Sequence, residues 1–244
     1  MPGPSLLKIL DSVDSTNNYA MDRIHAGMAN HGMAWFAHEQ TQGKGQRGKA
    51  WEIERGQNIA VSIILDPAGL PAGKPFYLSM VIAEACFVFF SAYAGKGCSV
   101  KWPNDLYYND RKAGGILIEN IFHGREWKWA VAGIGININQ SAFGENLRNP
   151  VSLRQITGNH YDTVGLAMEL HGLVLQTMER ALEEPAELHK KYCSHLYKMG
   201  EKVRLRRENM VFETTVEGVS DAGQLLTRDT MERQFDFGEV EWVL

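Results

Sequence analysis

Two short segments of the sequence concentrate residues that could do chemistry. The first, KWPNDL, places Lys101, Asn104 and Asp105 around a proline. Because Pro103 fixes its own φ and restricts Trp102 to extended conformations, these side chains are held in set directions. A carboxylate beside an amide, with a lysine four residues earlier, could serve a metal ion, a proton transfer or a phosphate. An Asn-Asp turn that caps its own backbone would use the same residues, and the pattern alone leaves both interpretations open.

The second segment is the glycine-rich stretch GKGQRGK, residues 43 to 49. Its three glycines allow backbone amides to converge on an anion, and Lys44, Arg47 and Lys49 add charges that could hold phosphates. It is not a Walker loop, because GxxxxGKS or GxxxxGKT is absent. It is not a dinucleotide fingerprint either, because the chain after it is strand-like rather than helical. A solvated basic loop is about equally compatible with this stretch.

Five further polar residues lie at the ends of apolar segments or inside them. Lys112 stands where an exposed turn enters an apolar strand, and it could equally be a solvated edge lysine. Ser15 or Thr16 is more typical of a helix N-cap than of a ligand site. Gln40 could be a hydrogen-bonding group or merely the end of a strand. Asn137 lies between two isoleucines, where a buried amide needs partners that a ligand could supply.

The surrounding pattern predicts the elements that position these residues. Strands are predicted at 6–10, 33–40, 58–65, 99–105 and 126–139, a hairpin at 107–120, and helices at 15–27, 76–93 and 162–195, the last broken near Pro185. Gly133 and Gly135 interrupt one strand where another group could approach closely. From Met199 onward, short alternating strands predict a small β-barrel. This order favours an α+β fold over strict βαβ alternation.

Composition narrows the class of protein. The chain has 244 residues, 44% hydrophobic and 22% charged, and its net charge of −4 gives no general field for nucleic acid. Cys86, Cys98 and Cys193 are too dispersed for a disulfide framework or a metal site and fit a reducing cytosol. The apolar segment 76–93 contains Glu84 and falls short of the roughly 20 apolar residues that a membrane span needs. We therefore expect a cytoplasmic protein in which this segment is a core helix.

Together the segments resemble the biotin–protein ligase (biotin–[acetyl-CoA-carboxylase] ligase) family, from about Asp14 to the C-terminus. The matching segments are Ser15-Thr16-Asn17, Gly43 to Trp51, Lys101 to Asp105, Arg111 to Glu119, and Gly133 to Asn137. The resemblance implies a mixed sheet with flanking helices, similar to class II aminoacyl-tRNA synthetases. It also implies a catalytic domain at 1–197 and a C-terminal SH3-like β-barrel at 198–244.

The resemblance implies a two-step reaction. Biotin and ATP with Mg²⁺ would give biotinyl-5′-AMP, and a lysine of a biotin carboxyl carrier protein would then take the biotinyl group. The implied biotin-binding residues are Ser15, Thr16, Asn17, Gln40, Gly43, Lys44, Gly45, Lys112 and Gly115. The implied ATP-binding residues are Lys44, Arg47, Lys49, Trp51, Lys101, Asn104, Asp105 and Asn137. Catalytic roles fall to Lys112, Asp105 and Arg47, with Asp105 also the candidate Mg²⁺ ligand.

The sequence departs from the family pattern at one position. Many relatives have arginine where this chain has Gln46, so either Arg47 substitutes for it or the adenylate is held less tightly; we favour substitution. Some bacterial members carry an N-terminal helix-turn-helix domain, and the start of the first helix at residue 15 leads us to expect a ligase that does not bind DNA. A lipoate or octanoate ligase and a biotin sensor without turnover are the competing hypotheses. The resemblance leaves a homodimer open.

Overall fold

A seven-stranded mixed sheet forms the centre of the computed structural model, which describes residues 6–70, 75–144, 147 and 149–243. Its strands are β1 (Leu7–Val13), β2 (Ala34–Gln40), β3 (Ile59–Leu65), β4 (Cys98–Lys101), β5 (Asp105–Tyr108), β6 (Arg111–His123) and β7 (Glu126–Ile136). The order across the sheet is β1-β2-β3-β7-β6-β5-β4. Among these pairs β1 and β2 run parallel and the others antiparallel. The predicted α+β fold with a mixed sheet is confirmed.

Helices cover both faces of this sheet. They are α1 (Thr16–His25), α2 (Pro75–Ala94), α3 (Leu153–Thr157), α4 (Thr163–Glu183) and α5 (Pro185–Ser194). Neighbouring strand residues point to opposite faces, so Phe36 joins the large core with α2 and α4 while Trp35 packs with Ala20 of α1. The helix α2 is long and apolar enough to cross a membrane by length and composition, but 61% of its apolar window is buried inside the protein. It is the core helix that the sequence predicted.

A second, smaller sheet follows the helices, and we call it the C-terminal sheet. Its strands are β8 (Lys202–Arg207), β9 (Met210–Val219), β10 (Leu225–Arg228), β11 (Glu232–Phe235) and β12 (Glu241–Trp242). They pair antiparallel in the order β11-β10-β9-β8-β12. The short strands predicted from Met199 onward are present, and among the described residues they pair as an open series rather than a closed barrel. The boundary between residues 197 and 198 stays a prediction.

Candidate active site

A cavity lies where the glycine-rich loop crosses the sheet, beside the N-terminus of α1. It encloses about 50 Å³. Its lining residues are Ser15, Thr16, Asn17, Gln40, Lys44, Gly45, Gln46, Trp51, Ala60, Asn104, Lys112, Gly115, Ile116, Leu117, Gly133, Ile134 and Gly135.

The α1 end of the cavity is a buried hydrogen-bond network. Ser15 occupies the N-cap position, but its side chain makes no capping hydrogen bond and lines the cavity instead. The backbone amide and hydroxyl of Thr16 both donate to Gln40 Oε1, at 2.8 and 3.1 Å. The hydroxyl of Ser62 lies 2.7 Å from Thr16 Oγ1 and 2.5 Å from Asn17 Oδ1. These contacts join Thr16 and Gln40, which the sequence analysis considered separately, in one network.

The network continues to the glycine-rich loop through Glu119. The Asn17 amide donates to Glu119 Oε2 at 2.7 Å, and the other oxygen of this carboxylate lies 3.8 Å from Lys44 Nζ. Sequence reasoning missed Glu119 and Ser62 as members of the site. The signals were present, since Glu119 ends the RKAGGILIE segment and Ser62 is a hydroxyl within an otherwise apolar strand.

Another acidic side chain lies at the entrance to α1. The side-chain amide of Asn18 donates to Asp14 Oδ2 at 2.5 Å. This hydrogen bond holds the pKa of the Asp14 carboxyl below its usual value, and the positive charge of Lys44 contributes in the same direction. The carboxylate therefore keeps its negative charge at neutral pH.

Gly133 and Gly135 form the floor of the cavity, and both allow the close approach that the sequence predicted. A Cβ atom at Gly133 would lie 2.2 Å from Asn17 Oδ1. A Cβ atom at Gly135 would lie 2.3 Å from Cε2 of the Trp51 indole. Real Cβ atoms do not approach other atoms this closely, so each glycine makes room for the side chain above it.

The glycine-rich loop folds back on itself as a small hairpin. The amide of Gly45 donates to the Lys49 carbonyl at 2.7 Å, and that of Trp51 donates to the Gly43 carbonyl at 2.9 Å. Gly43 also packs tightly on Trp51, because a Cβ there would lie 2.2 Å from the tryptophan carbonyl oxygen. Lys44 and Gly45 line the cavity, whereas Lys49 is exposed and does not.

Gln46 and Arg47 point in different directions from this loop. Gln46 lines the cavity, and its Nε2 lies 3.4 Å from the Ile116 carbonyl. Arg47 adopts a left-handed conformation, with φ 57° and ψ 39°, and its guanidinium lies 5.5 Å from the ring centroid of Phe237 in the C-terminal sheet. The structure therefore brings Gln46, and not Arg47, to the cavity.

The opposite end of the cavity carries a lysine–carboxylate pair. Lys112 Nζ lies 2.6 Å from Asp105 Oδ1, with the two side chains 32% and 20% exposed. The β5–β6 hairpin makes this contact because its register places Asp105 opposite Gly115, with an irregularity between residues 106 and 107. Asn104 is fixed nearby by donating to the Ile116 carbonyl at 2.9 Å. The lysine cation can neutralise a developing anion, and the carboxylate can accept a proton.

Five of the predicted ATP-binding residues do not line the cavity: Arg47, Lys49, Lys101, Asp105 and Asn137. Lys101 Nζ lies 3.2 Å from Tyr107 Oη and 5.5 Å from the ring centroid of Trp242, towards the C-terminal sheet. Asn137 is buried, and its amide donates to the Val151 carbonyl at 3.2 Å and lies 3.4 Å from that of Lys112. Asn137 therefore ties the backbone of Lys112 in place.

Two buried polar atoms that face the cavity have no hydrogen-bond partner within the described part of the chain. They are the acceptor Gln46 Oε1 and the donor Trp51 Nε1. Buried polar atoms are nearly always paired in native proteins. A ligand that offers one donor and one acceptor would satisfy both.

The comparisons with known proteins agree with this geometry. The model of the biotin/lipoate A/B protein ligase family matches residues 9–137. The bifunctional ligase/repressor BirA of Bacillus spizizenii is 30% identical over 226 residues, covering 88% of this chain and 67% of the relative. The biotin–[acetyl-CoA-carboxylase] ligase of Paracoccus denitrificans is 29% identical over 237 residues, covering 93% of this chain and 95% of that one.

Solved structures extend the similarity to the whole chain. The biotin protein ligase from Aquifex aeolicus in complex with biotin and ATP superposes with a TM-score of 0.80 at 25% identity, covering 97% of this chain and 98% of that one. The match therefore includes both sheets. This protein belongs to the biotin/lipoate A/B protein ligase family.

Proposed function

We propose that this protein is an ATP-dependent biotin–[biotin carboxyl carrier protein] ligase. It activates biotin as biotinyl-5′-AMP and transfers the biotinyl group to a lysine of a carrier domain. The observation that carries the proposal is the meeting, in one cavity, of a buried polar network, a glycine-rich loop and Lys112, whose Nζ is paired with the Asp105 carboxylate. The full-length similarity to the Aquifex ligase with biotin and ATP supports it.

The polar network at α1 is our proposed site for the ureido ring of biotin. This ring carries two N–H donors and one carbonyl acceptor, and Ser15, Thr16, Asn17 and Gln40 provide hydroxyl and amide groups at the cavity wall. A site built to hydrogen-bond a polar ring rejects an analogue that lacks those groups, because its own buried polar atoms would be left unpaired. The dithiolane ring of lipoate is such an analogue. The network therefore favours biotin over lipoate.

The first step joins biotin to AMP. A carboxylate oxygen of biotin attacks the α-phosphorus of ATP, and the bond to the departing oxygen breaks, so that pyrophosphate leaves with the electron pair. Lys112 lies where it can neutralise the biotin carboxylate and the α-phosphate as they approach, which otherwise repel each other. Lys44 and the amide of Gly45 contribute from the glycine-rich loop. Trp51 Nε1 and Gln46 Oε1 would each gain a hydrogen bond to the bound adenylate.

Mg²⁺ would enter this site bound to the phosphates of ATP. Among the described residues no group of three or more His, Cys, Asp or Glu side chains could hold a metal. Mg²⁺ is commonly held by one or two carboxylates together with substrate phosphates, and Asp105 with Asn104 fits that pattern. Lys49 and Lys101 remain our proposed contacts of the triphosphate, whereas the guanidinium of Arg47 faces Phe237 and lies outside the cavity lining. Lys101 would have to leave its present aromatic neighbour to reach the triphosphate.

The second step transfers the biotinyl group to the carrier. The neutral Nζ of the acceptor lysine attacks the carbonyl carbon of the mixed anhydride, a C–N bond forms, and AMP leaves as the C–O bond breaks. The nitrogen must lose a proton in this step. We assign that proton to Asp105, whose carboxylate is held by Lys112 at 2.6 Å. Because an acyl-adenylate hydrolyses readily, closure of the glycine-rich loop over it also protects the intermediate from water.

Several wider properties complete the proposal. We propose a cytoplasmic enzyme, which its free cysteines Cys86, Cys98 and Cys193 support. The acceptor is a biotin carboxyl carrier protein, of acetyl-CoA carboxylase or another biotin-dependent carboxylase. We further propose that 1–197 acts as the catalytic domain and 198–244 as its C-terminal partner.

The proposal is tested by transfer to an isolated biotin carboxyl carrier domain. The protein is incubated with biotin, ATP and Mg²⁺, and the intact mass of the carrier is measured. We expect one biotinyl group per carrier, dependent on ATP and lost when the acceptor lysine is replaced by arginine. An unmodified carrier would contradict the proposal. Modification by lipoate in place of biotin would move the assignment to the other branch of the family.

A further inference from the structure

The C-terminal sheet touches both catalytic segments of the main sheet. Its loop at 220–223 accepts a hydrogen bond from the KWPNDL segment, in which Trp102 Nε1 donates to the Gly223 carbonyl at 2.9 Å. Its loop after β11 carries Phe237, whose ring packs edge-on against Trp102 with centroids 6.3 Å apart. The same loop reaches the glycine-rich loop at Arg47. The C-terminal sheet is therefore in contact with the segments that build the cavity.

The contact at Arg47 is close. A Cβ atom at Gly238 would lie 2.5 Å from Arg47 Nη2, so a glycine here leaves room for the guanidinium. Phe237 places its ring 5.5 Å from Arg47 Cζ, within the range of a cation–π interaction. Arg47 has a left-handed backbone, which is unfavourable for a residue with a side chain unless the surroundings hold it there. Phe237 and Gly238 are the residues that contact the Arg47 side chain.

The position of Arg47 decides where its neighbour points. Arg47 contacts the C-terminal sheet, while the side chain of Gln46 lines the substrate cavity and keeps Oε1 buried. The bond from Gln46 Nε2 to the Ile116 carbonyl is long, at 3.4 Å, and is too weak to fix the loop by itself. Besides the backbone hydrogen bonds of the loop hairpin, the contact of Arg47 with Phe237 is therefore the anchor nearest to Gln46 along the chain.

We propose that Phe237 and Gly238 are positioning residues for the reaction. They hold Arg47 against the C-terminal sheet, and so set the glycine-rich loop in the conformation that presents Gln46 to the substrates. The effect on catalysis rests on the ligase function proposed above, whereas the anchoring of the loop does not. In this arrangement Arg47 works from its anchored position and does not swing into the cavity to bind phosphate.

The anchoring is tested by hydrogen exchange on the unliganded protein. We expect the amides of residues 43–51 to exchange about two- to fivefold faster in Phe237→Ala, the loss that an exposed cation–π contact would give. Phe237→Trp, which keeps an aromatic face, should restore the wild-type rate. Met231→Ala is the matched control, because Met231 is an exposed apolar residue at another turn of the same sheet, 58% accessible. Unchanged exchange in Phe237→Ala would overturn the proposal.

A pair of glycine variants tests the same contact without removing the aromatic ring. Gly238→Ala places a methyl group against Arg47, whereas Gly200→Ala has a comparable positive φ, +75° against +89°, and meets no atom within 4 Å. Both suffer the backbone strain, so only the difference between them reports the contact. We expect faster exchange of the loop in Gly238→Ala alone. Equal behaviour of the two variants would contradict the anchoring.

The catalytic consequence is measured by biotin-dependent ATP–pyrophosphate exchange. We expect Phe237→Ala and Gly238→Ala to raise the KM for ATP or biotin by about two- to fivefold, with a smaller change in kcat and with rescue by Phe237→Trp. Unchanged KM values for both substrates, or a lowered KM for ATP, would show that the anchoring of Arg47 does not serve substrate binding, and would overturn the proposal. A wild-type protein without exchange would instead refute the ligase function, and hydrogen exchange would still decide the anchoring.

Discussion

The substitution Gly133→Ala should disrupt the polar network at α1, because the added methyl group would occupy space that Asn17 now fills. A Cβ at Gly133 would lie 2.2 Å from Asn17 Oδ1, 2.9 Å from Cγ and 3.1 Å from Nδ2. Asn17 is only 3% exposed and is held by Ser62 at 2.5 Å and by Glu119 at 2.7 Å. The methyl group can therefore enter only if Asn17 gives up these two hydrogen bonds.

The size of the effect follows from those bonds. A neutral hydrogen bond contributes about 0.5–1.5 kcal/mol and one to a charged group about 1.5–3 kcal/mol, so displacing Asn17 costs roughly 2–4.5 kcal/mol. If biotin needs the network intact, that free energy is lost from binding. Since about 1.4 kcal/mol corresponds to a tenfold change in affinity, we expect biotin to bind roughly 30- to 1,600-fold more weakly.

Calorimetry on a double-mutant cycle is the assay. Biotin Kd is measured for wild type, Gly133→Ala, Asn17→Ala and the double variant. Because the three atoms nearest to the added Cβ all belong to the side chain of Asn17, Gly133→Ala should cost much less once Asn17 is alanine. Gly172→Ala on α4, with no atom within 4 Å of its added Cβ, should leave the Kd unchanged. Wild-type affinity in Gly133→Ala, or an equal loss in both backgrounds, would refute the reasoning.

Three further predictions concern single side chains. Replacing Lys112 by alanine should lower the rate of pyrophosphate exchange by about 100-fold or more, and retained exchange would remove this lysine from the chemistry. Gln46→Ala should weaken binding of a non-hydrolysable biotinyl-AMP analogue by about three- to tenfold, since one hydrogen bond is lost; equal affinity would show that Oε1 does not face the ligand. The Nε2–H of His171 donates to the Gly32 carbonyl at 2.8 Å, and burial holds the pKa of this imidazole below its usual value of 6.5. The neutral form is favoured in the folded state, so its stabilisation is complete above pH 6.5 and is lost as the pH falls below that value. The fall in Tm between pH 7.5 and 5.5 should therefore be smaller in His171→Gln than in wild type, and an identical fall would contradict the burial argument.

Local pattern was enough to predict the elements and several site residues. The strands β2 and β3 and the helix α2 begin and end within one residue of their predicted limits, whereas β7 begins at the predicted residue and ends three residues early. Gly133 and Gly135 could be identified because a glycine inside an apolar strand has few other purposes. The Tyr107-Tyr108 hairpin followed from its polar turn. Each of these patterns involves only a few neighbouring residues, so it can be identified without knowing which distant residues pack against them.

The rest of the site depends on contacts between distant parts of the chain. Asn17 meets Glu119 across 102 positions, and no local rule pairs a helix N-terminus with the end of a particular strand. In the sequence, Ser62 is a single polar residue in an apolar strand. Its hydrogen bonds to Thr16 and Asn17 arise only when α1 packs on that strand. Arg47 points away from the cavity because its backbone is left-handed, and an arginine in the sequence gives no indication of that conformation. The open pairing of the C-terminal strands likewise depends on which edges meet.

The most direct test of the central claim is ATP–pyrophosphate exchange by the wild-type protein with biotin, with lipoate, and with no acid. Exchange monitors formation of the acyl-adenylate itself, before any carrier protein is involved. The account predicts exchange that requires biotin and is absent with lipoate, because the polar network at α1 matches a ureido ring. Exchange with lipoate alone, or none with biotin despite measurable biotin binding, would contradict it.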